Sequence, residues 1–207
     1  MAETNKKVPV SIQNIEKWQM SRRHFVKGLL IAGTITQIPF LSACLNKDKE
    51  EERLALGVLN NKQKDILKEI QAILFPNDGN GPSASDVRAL DYLQWVISDS
   101  RMDPSEVEYL INGIAWVEES SKENLSQSFL KLSQSNKEKL VAKVSRESWG
   151  ESWLSVVLTL IFEALLSDPQ YGGNTDSIGW KWLNHYPGNP RPTKDLLYDK
   201  VFETINS

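Results

Sequence analysis

The sequence predicts an all-α domain, a single helical-bundle-like unit, on three grounds. From about residue 60 onward apolar residues recur at three- and four-residue spacing; no stretch alternates with period two for long; and helix start and stop signals bracket the periodic segments.

Taken in order, Ile66, Leu67, Ile70, Ile73 and Leu74 fall on one face of a first helix, which Pro76-Asn77-Asp78-Gly79 ends in a turn. A second helix is expected to begin after Ser85, with Val87, Leu90, Leu93, Val96 and Ile97 facing inward. Asp103-Pro104-Ser105-Glu106 then offers a cap, a proline at the first helical position and an acid in the first turn, ahead of Val107, Leu110, Ile111 and Ile114. Ser135-Asn136-Lys137-Glu138 has capping-box spacing before Leu140, Val141 and Val144. From Trp153 to Leu166 the chain is apolar almost all round, interrupted by Ser155, Thr159 and Glu163. That run is shorter than a bilayer span and reads as the central helix of a core. Near the C-terminus, Leu197, Val201 and Ile205 recur at helical spacing within residues 194–205, a segment able to dock on the domain or on a partner.

The first 43 residues read differently. Ser21-Arg22-Arg23-His24-Phe25-Val26-Lys27 precedes an apolar stretch that carries Thr34, Thr36, Gln37 and Pro39, too polar and too short for the roughly 20 apolar residues of a spanning helix. A paired arginine ahead of such a stretch is a twin-arginine export address, with Ser21, Arg22, Arg23, Phe25 and Lys27 as its residues. The stretch ends in Leu41-Ser42-Ala43-Cys44, which resembles a lipobox, with the Cys44 thiol as the acceptor of a lipid. Residues 1–43 are accordingly expected to be a cleaved signal peptide, and 44–59 a lipidated cysteine and charged tether around Lys47-Asp48-Lys49-Glu50-Glu51-Glu52-Arg53. The alternative for residues 49–56 is a first helical turn of the domain. The domain itself spans 60–207, and the product is expected to be an exported, membrane-anchored lipoprotein facing the periplasm or cell exterior.

Composition narrows the function. The full chain has a formal charge of −3; without its first 43 residues it keeps 18 basic and 25 acidic residues, or −7, which gives nucleic acid no electrostatic footprint. Cys44 is the sole cysteine and His185 the sole histidine after residue 43, so the sequence supplies no disulfide, iron–sulfur ligand set or multi-histidine metal site. No phosphate-loop or dinucleotide glycine motif occurs. The sequence therefore implies no metal and no cofactor bound by this chain.

The most specific stretch follows the apolar helix: Asp168-Pro169-Gln170-Tyr171-Gly172-Gly173-Asn174, then Gly179-Trp180-Lys181-Trp182-Leu183, then Tyr186-Pro187-Gly188-Asn189-Pro190. Pro169 sets the backbone past the helix end, the glycine pair permits positive φ, and Asn174 can bond its own backbone, so a tightly specified loop is expected. Two roles remain open for it, an aromatic lid clasping the core or a surface that binds a partner.

These motifs, on a helical domain behind a twin-arginine signal, resemble the gluconate 2-dehydrogenase subunit 3 family over roughly residues 60–192. Asn184-His185 stands where a glycine would precede Tyr-Pro-Gly in that pattern. The resemblance implies a small non-catalytic subunit of a membrane-associated dehydrogenase. It also implies a glucose–methanol–choline type flavoprotein partner carrying FAD, often joined by a cytochrome c subunit, and export of that partner on the small subunit's signal through the twin-arginine translocase. In that setting Asp168, Pro169, Tyr171, Gly172, Gly173, Asn174, Gly179, Trp180, Tyr186, Pro187 and Gly188 form either contact surface or internal clasp, with no catalytic residue among them. Two other readings stand beside it: a free-standing lipoprotein adaptor, and a small acid–base enzyme using Glu163, Asp168 and His185.

Overall fold

A computed structural model of the chain describes residues 59–188, together with Arg191, Thr193, Leu196 and Val201. The export-signal residues Ser21, Arg22, Arg23, Phe25 and Lys27, Cys44, the tether up to residue 58 and the rest of the C-terminal stretch lie outside the described residues. Among the described residues there are six α-helices and no strand, the expected all-α architecture.

Helix α1, Asn61–Leu74, starts on a reciprocal cap: the Asn60 side chain accepts from Gln63 N–H at 2.9 Å, and the Gln63 side chain accepts from Asn60 N–H at 2.9 Å. It buries Ile66, Leu67 and Ile70 and ends at Phe75, whose N–H still bonds Gln71 O while Pro76 drives its backbone out of the helical region.

Helix α2, Ala89–Ser98, begins later than the periodicity suggests. Residues 83–88 form a separate turn in which Asp86 accepts from both Ser83 N–H (2.8 Å) and Ser83 Oγ (2.6 Å). Arg88 at φ +53° then breaks the run, so α2 turns a different face inward: Ala89, Tyr92, Leu93 and Ile97 are buried, while Leu90 and Val96 are half-buried.

Helix α3, Pro104–Leu125, starts as the sequence indicates, with Asp103 accepting from Ser105 N–H at 2.8 Å. Helix α4, Gln134–Val144, is capped by Ser133 rather than Ser135, because the Ser133 backbone is extended and its Oγ faces Asn136 N–H. The chain is already helical at Ser135.

Helix α5, Ser148–Leu166, is the centre of the domain and packs against α1, α2 and α3. It starts five residues before the apolar run, where Trp149 and Gly150 are also buried. It is long and apolar enough to cross a membrane, yet more than half of it is buried in the fold, as expected of a core helix. The Trp153 indole lies over Gly113, where a Cβ would overlap it, and donates to Leu110 O at 3.0 Å. Tyr109, Trp116 and Trp149 stack edge to face beside it, with centroids 5.8 and 5.3 Å apart.

Glu118 ties α1 and α3 to the turn at Phe129–Lys131. It pairs with Lys62 at 2.8 Å and accepts from Phe129 N–H at 2.9 Å and Ser128 Oγ at 3.1 Å.

The helices define two ends. At one, Leu59 and Leu67 of the α1 start meet Ile97 at the end of α2 and Leu110 and Ile114 of α3. At the other, Phe75 at the end of α1 packs edge-on to Phe162 of α5, centroids 5.6 Å apart, beneath the loop that follows α5.

Candidate functional site

Asp168 to Trp180 folds as a clasp over the C-terminal end of α5. The Asp168 side chain accepts from Gln170 N–H at 3.1 Å and starts a 3-10 turn, Pro169–Tyr171. Gly172 follows at φ +92°, a conformation that favours glycine. Gly173 instead answers to space, since a Cβ there would come within 2.8 Å of the Ala164 backbone. Gly179 likewise presses on the carbonyl of Leu165.

Asn174 is the hub. Fully buried and left-handed at φ +45°, it donates from its backbone to Val87 O (3.0 Å) and from Nδ2 to Ser167 O (2.9 Å). Its Oδ1 accepts from Gly179 N–H at 2.8 Å. One residue thereby joins the end of α5 and the short helix α6, Ile178–Leu183, through its side chain, and the turn before α2 through its backbone. Trp180 of α6 is buried and donates to Leu166 O at 2.7 Å, while the Trp182 indole packs on Gly81.

Aromatic rings continue the clasp onto α2. Tyr171 lies 4.9 Å from Trp95, and Trp95 5.7 Å from Tyr92, whose hydroxyl donates to Glu163 at 3.3 Å. Loss of water around the Glu163 carboxyl raises its pKa, against the Tyr92 hydrogen bond; because part of the side chain is exposed, solvent screens the effect. Burial, with the Glu163 charge second, raises the pKa of the Tyr92 phenol.

Arg191 closes the arrangement from outside. It pairs with Asp168 at 2.5 Å and stacks on the Trp180 ring at 4.8 Å. Beyond α6 the character changes. Asn184 is left-handed, His185 N–H bonds Trp180 O at 2.8 Å, and Tyr186 and Pro187 stand exposed ahead of Gly188 at φ +83°.

The structure thus separates residues that the sequence groups together. Asp168, Pro169, Tyr171, Gly172, Gly173, Asn174, Gly179 and Trp180 belong to the clasp, and Tyr186, Pro187 and Gly188 project from it. Glu163 is engaged by Tyr92, Asp168 by Arg191, and His185 meets the Trp180 ring at 5.9 Å. Among the described residues no group of three His, Cys, Asp or Glu is placed to hold a metal ion. Val87, Trp95, Ser167 and Arg191 complete the clasp without any local motif to announce them.

The model of the gluconate 2-dehydrogenase subunit 3 family matches residues 61–188, from the first residue of α1 through Gly188. The chain belongs to the gluconate 2-dehydrogenase subunit 3 family. That match encloses the whole clasp and its Tyr186-Pro187-Gly188 projection. Neither the curated proteins nor the solved structures contain a match to the chain. As a member of this family the chain is of the subunit type of an oxidoreductase complex.

Proposed function

We propose that this subunit 3 family member is the non-catalytic companion of a flavin-dependent dehydrogenase of the glucose–methanol–choline type, and that it escorts, stabilises and membrane-tethers that enzyme. The family match over residues 61–188 is the observation that carries the reading. FAD and the substrate pocket belong to the partner.

The chain's own residues take three roles. Arg22 and Arg23 address the twin-arginine route, which in this reading carries the flavoprotein out folded with its flavin in place. Cys44 takes the lipid that holds the assembly at the membrane. The helical domain binds the flavoprotein, and binding only the folded form stabilises it by mass action.

The escort role is tested by fractionating cells that carry Arg22→Lys with Arg23→Lys. Both this chain and the flavoprotein should remain in the cytoplasm, and dye-linked dehydrogenase activity should leave the membrane fraction. Membrane activity retained at the wild-type level would refute the escort role.

A further inference from the structure

We propose that Glu163, where the open side of α5 meets the aromatic row of the clasp, receives an arginine side chain of the dehydrogenase's catalytic subunit. The inference rests on the companion-subunit reading and adds to it the contact that does the binding.

The setting follows from α5. The helix is apolar enough to be core on every side, yet only 56% of its most apolar stretch is buried. Val156, Thr159, Glu163 and Leu166 succeed one another at three- and four-residue spacing along the open side, half-buried at the first two and exposed at the last two. The Thr159 hydroxyl bonds back to Ser155 O at 2.9 Å, so the polar group that this line offers outward is the Glu163 carboxyl.

That carboxyl accepts from the Tyr92 hydroxyl, and among the described residues no Lys or Arg pairs with it. Arg88, one turn ahead of Tyr92, pairs with Asp91 instead. Tyr92 begins the row of rings that runs through Trp95 to Tyr171. Glu163 and Tyr171 both act electrostatically on the Tyr92 phenol, so the three polar ends lie within reach of one another. A carboxylate that has lost part of its water beside such rings gains from a cation, and the described residues do not provide one.

The chain itself shows what completes a site of this kind. Asp168 beside Trp180 holds Arg191, whose guanidinium pairs with the carboxylate and lies over the indole. Glu163 beside the Tyr92–Trp95–Tyr171 row presents the same combination outward. Arginine fits it better than lysine, because a planar guanidinium pairs with a carboxylate and stacks on a ring at once.

Two observations name the bearer of that arginine. Membership of a dehydrogenase subunit family implies association with a catalytic subunit, so such a subunit covers part of this chain. A lipid surface is disfavoured, since the chain after residue 43 has 18 basic and 25 acidic residues and is repelled by anionic headgroups.

The test uses the full chain, titrated with the flavoprotein of the proposed complex, in wild-type form and as Glu163→Gln and Glu163→Arg. Asp65→Asn, an exposed carboxylate near the start of α1, is the control. Glu163→Gln should bind at least ~10-fold more weakly and Glu163→Arg more weakly still, while Asp65→Asn binds as wild type. Raising the salt concentration should weaken the wild type more steeply than Glu163→Gln. Thermal melting of the free proteins at pH 7 separates contact from fold, because Glu163→Gln should melt no lower than wild type. Wild-type affinity in both Glu163 variants would overturn the proposed contact and leave the companion reading standing. A wild-type chain that does not bind the flavoprotein would overturn both. A Glu163→Gln protein that binds weakly and also melts below wild type would make Glu163 a brace of the fold and overturn the proposal. Glu163 variants that keep the flavoprotein but lose self-association would assign the carboxyl to a second copy, again overturning it.

Discussion

Asn174 offers the sharpest test of the clasp. Asn174→Gly keeps the left-handed backbone and removes both side-chain hydrogen bonds, leaving the buried Gly179 N–H and the half-buried Ser167 carbonyl without partners. A buried N–H left unpaired costs about 1–3 kcal/mol, and a carbonyl with partial access to water about 1, for a combined loss of about 2–4 kcal/mol. In a domain of this size each kcal/mol lowers the melting temperature by roughly 3–4 °C, so Asn174→Gly should melt roughly 6–16 °C below wild type. Asn174→Ala loses the same bonds and adds the left-handed penalty of about 1 kcal/mol, which places it lower again. Circular dichroism melting of the purified proteins measures both. An Asn174→Ala protein melting within about 2 °C of wild type would refute the reasoning, because bonds made by a fully buried side chain cannot be lost at so small a cost.

Two glycines of the clasp separate crowding from conformation. Gly179→Ala forces a Cβ onto the Leu165 carbonyl and should cost at least about 2 kcal/mol, whereas Gly172→Ala makes only ordinary contact with the Asp91 backbone, 3.7 Å away, and bears the strain of φ +92°, about 1 kcal/mol; urea midpoints should rank them in that order. Burial opposes ionisation of Glu118, but hydrogen bonds from Lys62, Phe129 N–H and Ser128 outweigh it and hold its pKa below the ordinary value. Its contribution is therefore complete above the unfolded pKa of about 4.3 and fades as pH falls through the lower folded value, so the gap in urea stability between wild type and Glu118→Gln should be full at pH 7 and shrink on acidification below pH ~4. Glu163 has the opposite sign: its raised pKa favours the folded state when protonated, and that contribution is lost as pH rises through the folded value. Glu163→Gln should thus be the more stable protein at pH 7 and converge with wild type near pH 4; a wild type more stable at pH 7 would contradict the assignment.

Much of the fold was legible in the sequence because its signals are local. Asp103-Pro104-Ser105-Glu106 marks the start of α3 within a single turn, and the apolar run at Trp153–Leu166 identifies the core helix from composition alone. The shifted start of α2 was hidden, since Arg88 breaks the helix through a left-handed backbone that its side chain does not advertise. Helix α6 has six residues, too few for periodicity to show. The candidate site divides the same way. Gly172, Gly173, Asn174 and Gly179 announce an unusual backbone, but what they grip does not: the Val87 carbonyl, Trp95 and the start of α2 lie far away in sequence and are set by packing.

The most direct test of the account is the isolation of the full chain by affinity from cells that also make the proposed flavoprotein partner, with flavin absorbance compared with chain content. The account predicts a yellow complex holding one flavin per subunit 3 chain, stable through gel filtration. A correctly folded, colourless chain that elutes alone while the flavoprotein elutes separately with its flavin would contradict it.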